Sequence, residues 1–413
     1  TAAAHIAVVQ DVLSYLFKKG EIYKDSYKGW YSVSEEIFYT DKDLVDGKSP
    51  AGKEVVEVVE ENYFFRMSNY QDKLVNYIKN NPDFIRPVGK RSEVLGFLEQ
   101  KLDDLCISRP KSRLAWGIEL PFDPAFVTYV WFDALINYIS AIGFKTLSQS
   151  QQFKKYWPEA VHIIGKDILT PHAVYWPTIL MALGLSLPKT IFAHGWILNA
   201  ANAKMSKSVG DVVSPYQVKD WVGVEPFRYC ICREIPLGND APFSKELAIL
   251  RVNAELANTF GNLLSRSLSL VEKYFAGIIP TTPPSQSSSL QLAKDAISCG
   301  ELVRERIFDF APHLAIDEVI KLLYTTNQYI DHIAPWKTAK SDLTTTSECL
   351  SAVLNVLRIS GILLSPVMPK KCSALLQLLG INQIDFNHTK IFIGIPDGIK
   401  VTKCQPLFPR IEA

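Results

Sequence analysis

Apolar residues follow two different rhythms along the chain, and the change falls near Glu246. Ahead of it, Ile6, Val9, Val12, Leu13, Leu16 and Phe17 recur every three or four positions and predict a helix ending near Gly20. Residues 21–75 read as short strands and turns. Tyr23, Tyr27, Trp30, Tyr31, Phe38 and Tyr39 interleave with charges there, and Asp46-Gly47 and Ser49-Pro50-Ala51-Gly52 supply turn chemistry. Helical spacing returns over 70–80 and 91–104. Three apolar runs follow, at 126–131, 161–164 and 191–197; the first leads into a helical stretch over 132–142, the second into one reaching Leu183. Short strands alternating with helices predict parallel β-α-β units. Beyond Glu246 the strand-like runs give way to long helical periods over 248–275, 290–308, 315–333 and 347–364, the pattern of an antiparallel helical bundle. Thr281–Ser289 reads as a low-complexity linker, and 391–409 as a hairpin or strap laid on the bundle.

Length and composition narrow the class. The 413 residues are 47% hydrophobic, enough for two or three domains with cores of their own. With 44 Lys+Arg against 43 Asp+Glu, neither a polybasic tail nor an acidic solvating chain dominates, although a local basic patch for RNA remains open. No run of 18 apolar residues occurs, so no membrane partner is expected. Seven irregularly spaced cysteines argue against a disulfide scaffold and for a reducing compartment, and Cys230 and Cys232 read as core positions.

In an open parallel sheet, ligands bind beyond the carboxyl ends of the strands. Three strand ends carry unusual chemistry here: Trp131-Phe132-Asp133-Ala134; Gly165-Lys166-Asp167; and His194-Gly195-Trp196, with a polar loop beyond it containing Lys204-Met205-Ser206-Lys207-Ser208. Adjacent strands would bring them to one crevice suited to a nucleotide. Asp167 can accept hydrogen bonds from ribose hydroxyls, Gly165 lets a ring approach the backbone, and Lys204 and Lys207 can screen charge on a polyphosphate. Each feature also has an ordinary structural reading: a capped turn, a core tryptophan, a solvated loop.

Lys204–Ser208 is the KMSKS signature of class I aminoacyl-tRNA synthetases. With Trp131-Phe132-Asp133-Ala134, Gly165-Lys166-Asp167-Ile168 and His172-Ala173-Val174-Tyr175-Trp176-Pro177, the chain closely resembles the methionyl-tRNA synthetase family. The likeness continues through Tyr63-Phe64-Phe65-Arg66, Ile107-Ser108-Arg109-Pro110, Asn253-Ala254-Glu255-Leu256-Ala257 and Ala334-Pro335-Trp336, covering nearly the whole length. The resemblance implies an α/β Rossmann-like class I catalytic domain, incomplete at its N-terminus, followed by an all-α anticodon-binding bundle. It divides the chain into a remnant of the first catalytic half (1–22), an inserted connective subdomain (23–95), the second catalytic half (96–200), a KMSKS loop and stem-contact region (201–247) and the anticodon-binding domain (248–413).

It further implies ATP with Mg2+, L-methionine and methionine tRNA as ligands of a monomeric enzyme. Lys204, Lys207 and Arg109 would be catalytic. Gly165, Lys166, Asp167, Trp196, Ile197, Lys204, Met205, Ser206, Lys207 and Ser208 would hold ATP. Trp131, Ala134, Leu135, Tyr138 and His172 would line the methionine pocket, where sulfur–aromatic contacts suit a thioether. Leu135 stands where many relatives have proline. Asn262, Arg266 and Trp336 would read the CAU anticodon, an amide and a guanidinium for base edges and an indole for stacking; read without the resemblance, they are a helix-surface pair and a packed indole.

Two departures change the expectation. Where zinc-bearing relatives have knuckle cysteines this chain has Ser32 and Glu35, so no structural zinc is expected. The second class signature, His-x-Gly-His, is absent among His5, His162, His172, His194, His313, His332 and His388. The chain, which opens directly in a helical pattern without Met, therefore reads as lacking an N-terminal segment of the same enzyme. Alone it is expected to bind the anticodon weakly and not to activate methionine. The competing readings are a non-catalytic tRNA-binding fragment or paralogue, and a class I synthetase for another apolar amino acid. The metal-free knuckle points to the mitochondrial matrix, with the bacterial cytoplasm as the alternative.

Overall fold

The first helical pattern closes into α1 (Ala3–Lys18), with Val9, Val12, Leu13 and Leu16 as its buried stripe. Gly20 turns the chain away at φ +74°, where a side chain would be strained. Next, β1 (Ile22–Ser32) runs antiparallel to β2 (Ile37–Tyr39) and to β3 (Val56–Phe65). Beyond β3 come α2 (Gln71–Asn80), β4 (Ile85–Arg86) and α3 (Val88–Phe97). Helix α3 starts earlier and stops sooner than the 91–104 pattern predicts. The Gln71 amide donates to the Leu98 and Gln100 carbonyls (2.8 and 2.7 Å) and accepts from the Leu102 N–H (2.9 Å), holding that segment out of helix. Then β5 (Leu105–Cys106) completes a four-stranded sheet of order β2-β1-β3-β5. The structure, a computed structural model, describes residues 1–32, 37–39, 44–128, 131–146, 149–205, 212–402 and 405–412, and the chain packs as two units, Thr1–His194 and Gly195–Ala413.

The remainder of the first unit holds β6 (Ser108–Pro110), β7 (Ile118–Leu120), β8 (Asp123–Thr128), α4 (Trp131–Ser140), α5 (Gln151–Tyr156), β9 (Val161–Gly165), α6 (Trp176–Leu183) and β10 (Thr190–His194). Two of the expected strands pair as predicted. β9 and β10 lie parallel with α6 in their crossover, and the third member of that sheet is β4, in the order β4-β10-β9. The 126–131 run is different: its residues 126–128 lie in β8, antiparallel to β6 and β7, and Trp131 already belongs to α4. An apolar run announces burial, not the direction of its neighbour, and a tight turn after Leu120 folds β8 back on β7. Ile85 and Arg86, inside the expected 23–95 subdomain, pair with β10 in the parallel sheet.

The third run stops at His194, three residues before its expected end. A Cβ at Gly195 would stand 2.1 Å from the Asn239 carbonyl oxygen, so only glycine lets the two backbones meet there. Past it, β11 (Ile197–Leu198) pairs with β12 (Ala241–Pro242) instead. The helices of the second unit are α7 (Pro215–Val222), α8 (Val224–Glu234), α9 (Lys245–Arg251), α10 (Asn262–Phe275), α11 (Ser287–Phe308), α12 (Pro312–Ile333), α13 (Pro335–Thr338), α14 (Leu343–Leu364) and α15 (Pro369–Leu378). Residues Val252–Gly261 join α9 to α10 as a widened helix, in which the Thr259 hydroxyl reaches back five residues to the Ala254 carbonyl (2.9 Å). Val218, Tyr229 and Phe243 share one core with Leu256, Leu323 and Leu357, so packing does not separate 201–247 from 248–413. Helix α14 is long and apolar enough by length and composition to cross a membrane, but 94% of its apolar window is buried: it is the bundle's central helix.

Neither the linker nor the tail hangs free. The Glu348 carboxylate accepts from the Ser285 N–H (2.7 Å), the Ser285 hydroxyl (2.6 Å), the Gln286 N–H (2.8 Å) and the Ser289 hydroxyl, so 281–289 is a docked entry to α11. Residues 391–402 and 405–409, the described part of the tail, form a strap whose single described strand-like bridge is Lys400 to Ile278. The fully buried Arg358 guanidinium holds the strap by donating to the carbonyls of His388 (3.0 Å), Phe392 (2.9 Å) and Ile391. Asn253 exchanges two bonds with the Ile411 backbone (2.9 and 2.8 Å).

Burial alone would raise the Glu348 pKa, but the hydrogen bonds from Gln286, Ser285 and Ser289 hold it down at about 2. Unfolding releases it to an ordinary value of 4.5, so its contribution is complete above pH 4.5 and lost as pH falls toward 2. Glu348→Gln is expected to cost about 2–3 kcal/mol in urea unfolding at neutral pH. It should also flatten the acid limb of stability; an unchanged acid limb contradicts this account.

Candidate functional site

At the tips of β9 and β10, His194 lies directly opposite Gly165. The chain leaves Gly165 through one tight turn, Lys166–Ile168, that presents an exposed Asp167. A Cβ on Gly165 would fall 2.6 Å from Asp167 Oδ1 and 3.9 Å from His194 Cε1. Glycine is therefore what lets the Asp167 carboxylate fold back over the strand end. Arg109, on β6 opposite Val127, donates to the Ser108 carbonyl (2.9 Å) and to Cys106 Sγ (3.2 Å).

The turn from Gly165 continues into the widened helical segment Pro171–Tyr175, which carries His172. His172 Nδ1 lies 2.9 Å from the Ile168 carbonyl, which can only accept, so Nδ1 carries the proton. Burial lowers the His172 pKa and keeps the ring neutral. Nε2 is then an acceptor, and the Tyr138 hydroxyl donates to it at 2.8 Å. Trp131 opens α4 and meets the His172 ring edge-on, with centroids 6.1 Å apart. Trp131, Ala134, Leu135 and Tyr138 are spaced to share one side of α4. Ala134 is exposed and Leu135 lies in the core. Burial also raises the pKa of Asp133 in the first turn of α4.

Two further rings join this cluster that carried no site role in the sequence analysis, although Trp176 lies in the string that begins at His172. His162 packs against Tyr138 at 4.2 Å, and Trp176 Nε1–H donates to His162 Nε2 (3.2 Å). Periodicity held the signal: His162 points inward on β9, and Trp176 follows His172 by one helical turn.

In the second unit, Trp196 N–H donates to Asp240 (2.9 Å), and the Trp196 ring lies 4.0 Å from Lys204 Nζ. Ile197 pairs with Ala241, and Leu198 bridges back to Lys204 across a turn pinned by the Asn199 side chain, which accepts from the Ala201 and Ala203 N–H groups. Lys204 and Met205 close the described part of the loop; Ser206, Lys207 and Ser208 lie outside the described residues, as does Glu35. Ser32 is buried in β1, and among the described residues no three His, Cys, Asp or Glu side chains gather as metal ligands.

Farther along, Asn262 begins α10 and is exposed, with Arg266 one turn on. The Arg266 guanidinium stacks on the Trp336 ring (4.4 Å) and pairs with Asp331 (2.6 Å).

The family described as class I tRNA synthetases (M) matches residues 1–58 and 42–268, and the anticodon-binding domain of methionyl tRNA ligase matches 313–413. The chain belongs to the class I methionyl-tRNA synthetase family. A methionine–tRNA ligase of Caldanaerobacter subterraneus is 42% identical over the whole chain, and one of Clostridium tetani 41% over 99% of it. The chain spans 65% and 64% of the lengths of these two relatives. A Mycobacterium tuberculosis methionyl-tRNA synthetase structure bound by methionyl-adenylate has TM-score 0.89 and 39% identity, covering 99% of this chain and 82% of that one.

The His162 pKa is lowered to about 4 by burial and by nearby His172. Between pH 6.5 and about 4 the unfolded chain binds a proton that the folded one refuses, so stability falls as pH drops through that window. The slope from this group is at most about 1.4 kcal/mol per pH unit. Imidazole NMR should find His172 neutral with Nδ1 protonated at pH 7, and His162 still neutral at pH 5. A His162 titrating near 6.5 contradicts the buried pairing.

Proposed function

We propose that the protein carrying this sequence activates methionine with ATP to methionyl-adenylate and transfers methionine to its tRNA. The reading rests chiefly on the Trp131–His172–Tyr138 cluster, set one turn beyond the Gly165/Asp167 strand tip in a chain of this family. In the first step a methionine carboxylate oxygen bonds to the α-phosphorus while the bond to pyrophosphate breaks. No proton need leave the carboxylate at neutral pH, so the side chains position and neutralise rather than react.

Trp131 and Tyr138 supply ring surface for the thioether. The Tyr138 proton is committed to neutral His172, which adds no charge beside an apolar side chain. Ala134 leaves room beside these rings, and Leu135 supports them from the core. Asp167 would accept from the ribose hydroxyls, with Gly165 and Lys166 shaping that turn and the backbone around Ile197 meeting adenine. Lys204, resting on Trp196, would join Arg109 and Lys207 in neutralising the phosphates, with Met205, Ser206 and Ser208 completing the loop. Mg2+ would arrive with the ATP phosphates, and no described acidic cluster is assigned to hold it. Asn262, Arg266 and Trp336 would read the CAU anticodon, with unstacked bases on the indole.

A synthetase for another apolar amino acid fits less well, because a pocket of Trp, Tyr and His rewards a polarizable sulfur. The relatives compared are bacterial, which lends the mitochondrial matrix no support; a bacterial-type cytoplasmic enzyme acting as a monomer is the simpler proposal.

In the whole protein, Lys207→Ala should lower methionine-dependent pyrophosphate exchange about 10²–10³-fold. Tyr138→Phe should chiefly raise KM for methionine. With the 413-residue chain, Trp336→Ala should weaken binding of a CAU-anticodon stem-loop about tenfold, the scale of one lost base stack. Exchange driven equally by leucine or valine, or loss of stem-loop binding that ignores the anticodon sequence, refutes the proposal.

A further inference from the structure

A cavity of about 420 Å³ opens on the helical unit among α11, α12, α14 and the turn Phe386–Lys390, and it shares no residue with the sites proposed above. Its volume lies in the range of small-molecule pockets. Val303, Ile316, Val319 and Leu364 form apolar walls reaching the central helix α14. Phe308 and Phe386 flank the mouth, 72% and 52% exposed, a large apolar area to leave facing water.

Charge at the mouth is uneven. Lys390 is loosely paired with Glu301 at 3.8 Å, whereas Arg304 has no acidic partner within ion-pair distance among the described residues. Its guanidinium stands 5.7 Å from the Phe308 ring, at the border between apolar wall and solvent. Glu305 and Asp309 follow on the same exposed helix end, in a shallow depression that Glu301, Arg304 and Phe308 also line. Of the two cations lining the cavity, Arg304 is therefore the one with no ion pair among the described residues, although Glu301, Glu305 and Asp309 stand on the same helix end.

We propose that this cavity binds a small apolar molecule carrying a single anionic group, an aryl or medium-chain alkyl acid, with its hydrocarbon body against Val319 and Leu364 and its anion on Arg304. The geometry selects such a ligand in two parts. Thr389, the buried polar side chain of the lining, already donates to the Phe386 carbonyl (2.7 Å), so the ligand's buried end must be hydrocarbon. At the mouth, the planar guanidinium favours a carboxylate or sulfonate over a hydroxyl. A macromolecular partner would use the exposed phenyl rings but not the depth of the cavity.

The probes are anilinonaphthalene sulfonate and its uncharged counterpart phenylnaphthylamine, titrated by fluorescence into the full chain. One saturable sulfonate site per chain is expected. Arg304→Gln, at an exposed position, should weaken the sulfonate about fivefold and leave the uncharged probe unchanged, the scale of one partly exposed ion pair. Val319→Phe should fill the cavity and abolish both. Should that variant fail to fold, Arg304→Gln still decides. Equal effects of Arg304→Gln on both probes, or sulfonate binding that survives a folded Val319→Phe, overturns the proposal. So does a concentration-dependent dimer that Phe308→Asp dissolves, because a second copy would then own the surface.

Discussion

Parallel pairing of β9 with β10, in register from Val161 opposite Thr190 to Gly165 opposite His194, is the constraint on which the candidate site depends. It sets two strand tips side by side and sends both chains onward from the same edge. From one tip the backbone makes a single tight turn and enters the helix bearing His172. From that helix, one hydrogen bond to the Ile168 carbonyl sets the proton on His172, and the proton sets the polarity of the bond to Tyr138. A slip of one residue in the pairing would turn His162 outward and remove the support beneath the Tyr138 ring.

The second unit rests on buried charge rather than on register. Glu348, Arg358 and Glu255 sit within an apolar bundle, and each is surrounded by fixed partners. Glu255 takes hydrogen bonds from Tyr229 (2.5 Å) and Arg251 (2.7 Å) and an ion pair from Arg233 (3.1 Å). Such groups add little net stability compared with hydrocarbon, but removing one partner strands a charge in a dry interior. They also tie segments distant in sequence to one helix, which is how loops without apolar pattern become ordered.

Much of the plan was legible in the residues. Helical spacing located α1, α2 and the bundle helices, and alternation with helices located β9 and β10. Pairing direction was not legible, because β8 and a parallel strand carry the same apolar run. Nor was tethering: Thr281–Ser289 has the composition of a flexible linker, and distant residues, Glu348 first and then Thr345, Ser347 and Asp397, hold it. Recognisable strings marked Trp131, Gly165, Asp167, His172 and Trp176 in the first unit and Lys204 in the second. His162 stayed hidden as an ordinary inward-facing residue, since nothing local says that its ring will meet those of Tyr138 and Trp176.

The widened helix Val252–Gly261 has a mechanical consequence. Helix α9 and α10 form one rod, and the phase of its far half is set by how loosely those ten residues are wound. Removing one residue there would rotate the far half by about 100°. Arg266 would swing off the indole it faces, although neither residue had been touched. The orientation of Arg266 toward Trp336 is thus stored in the winding of a segment that carries neither residue.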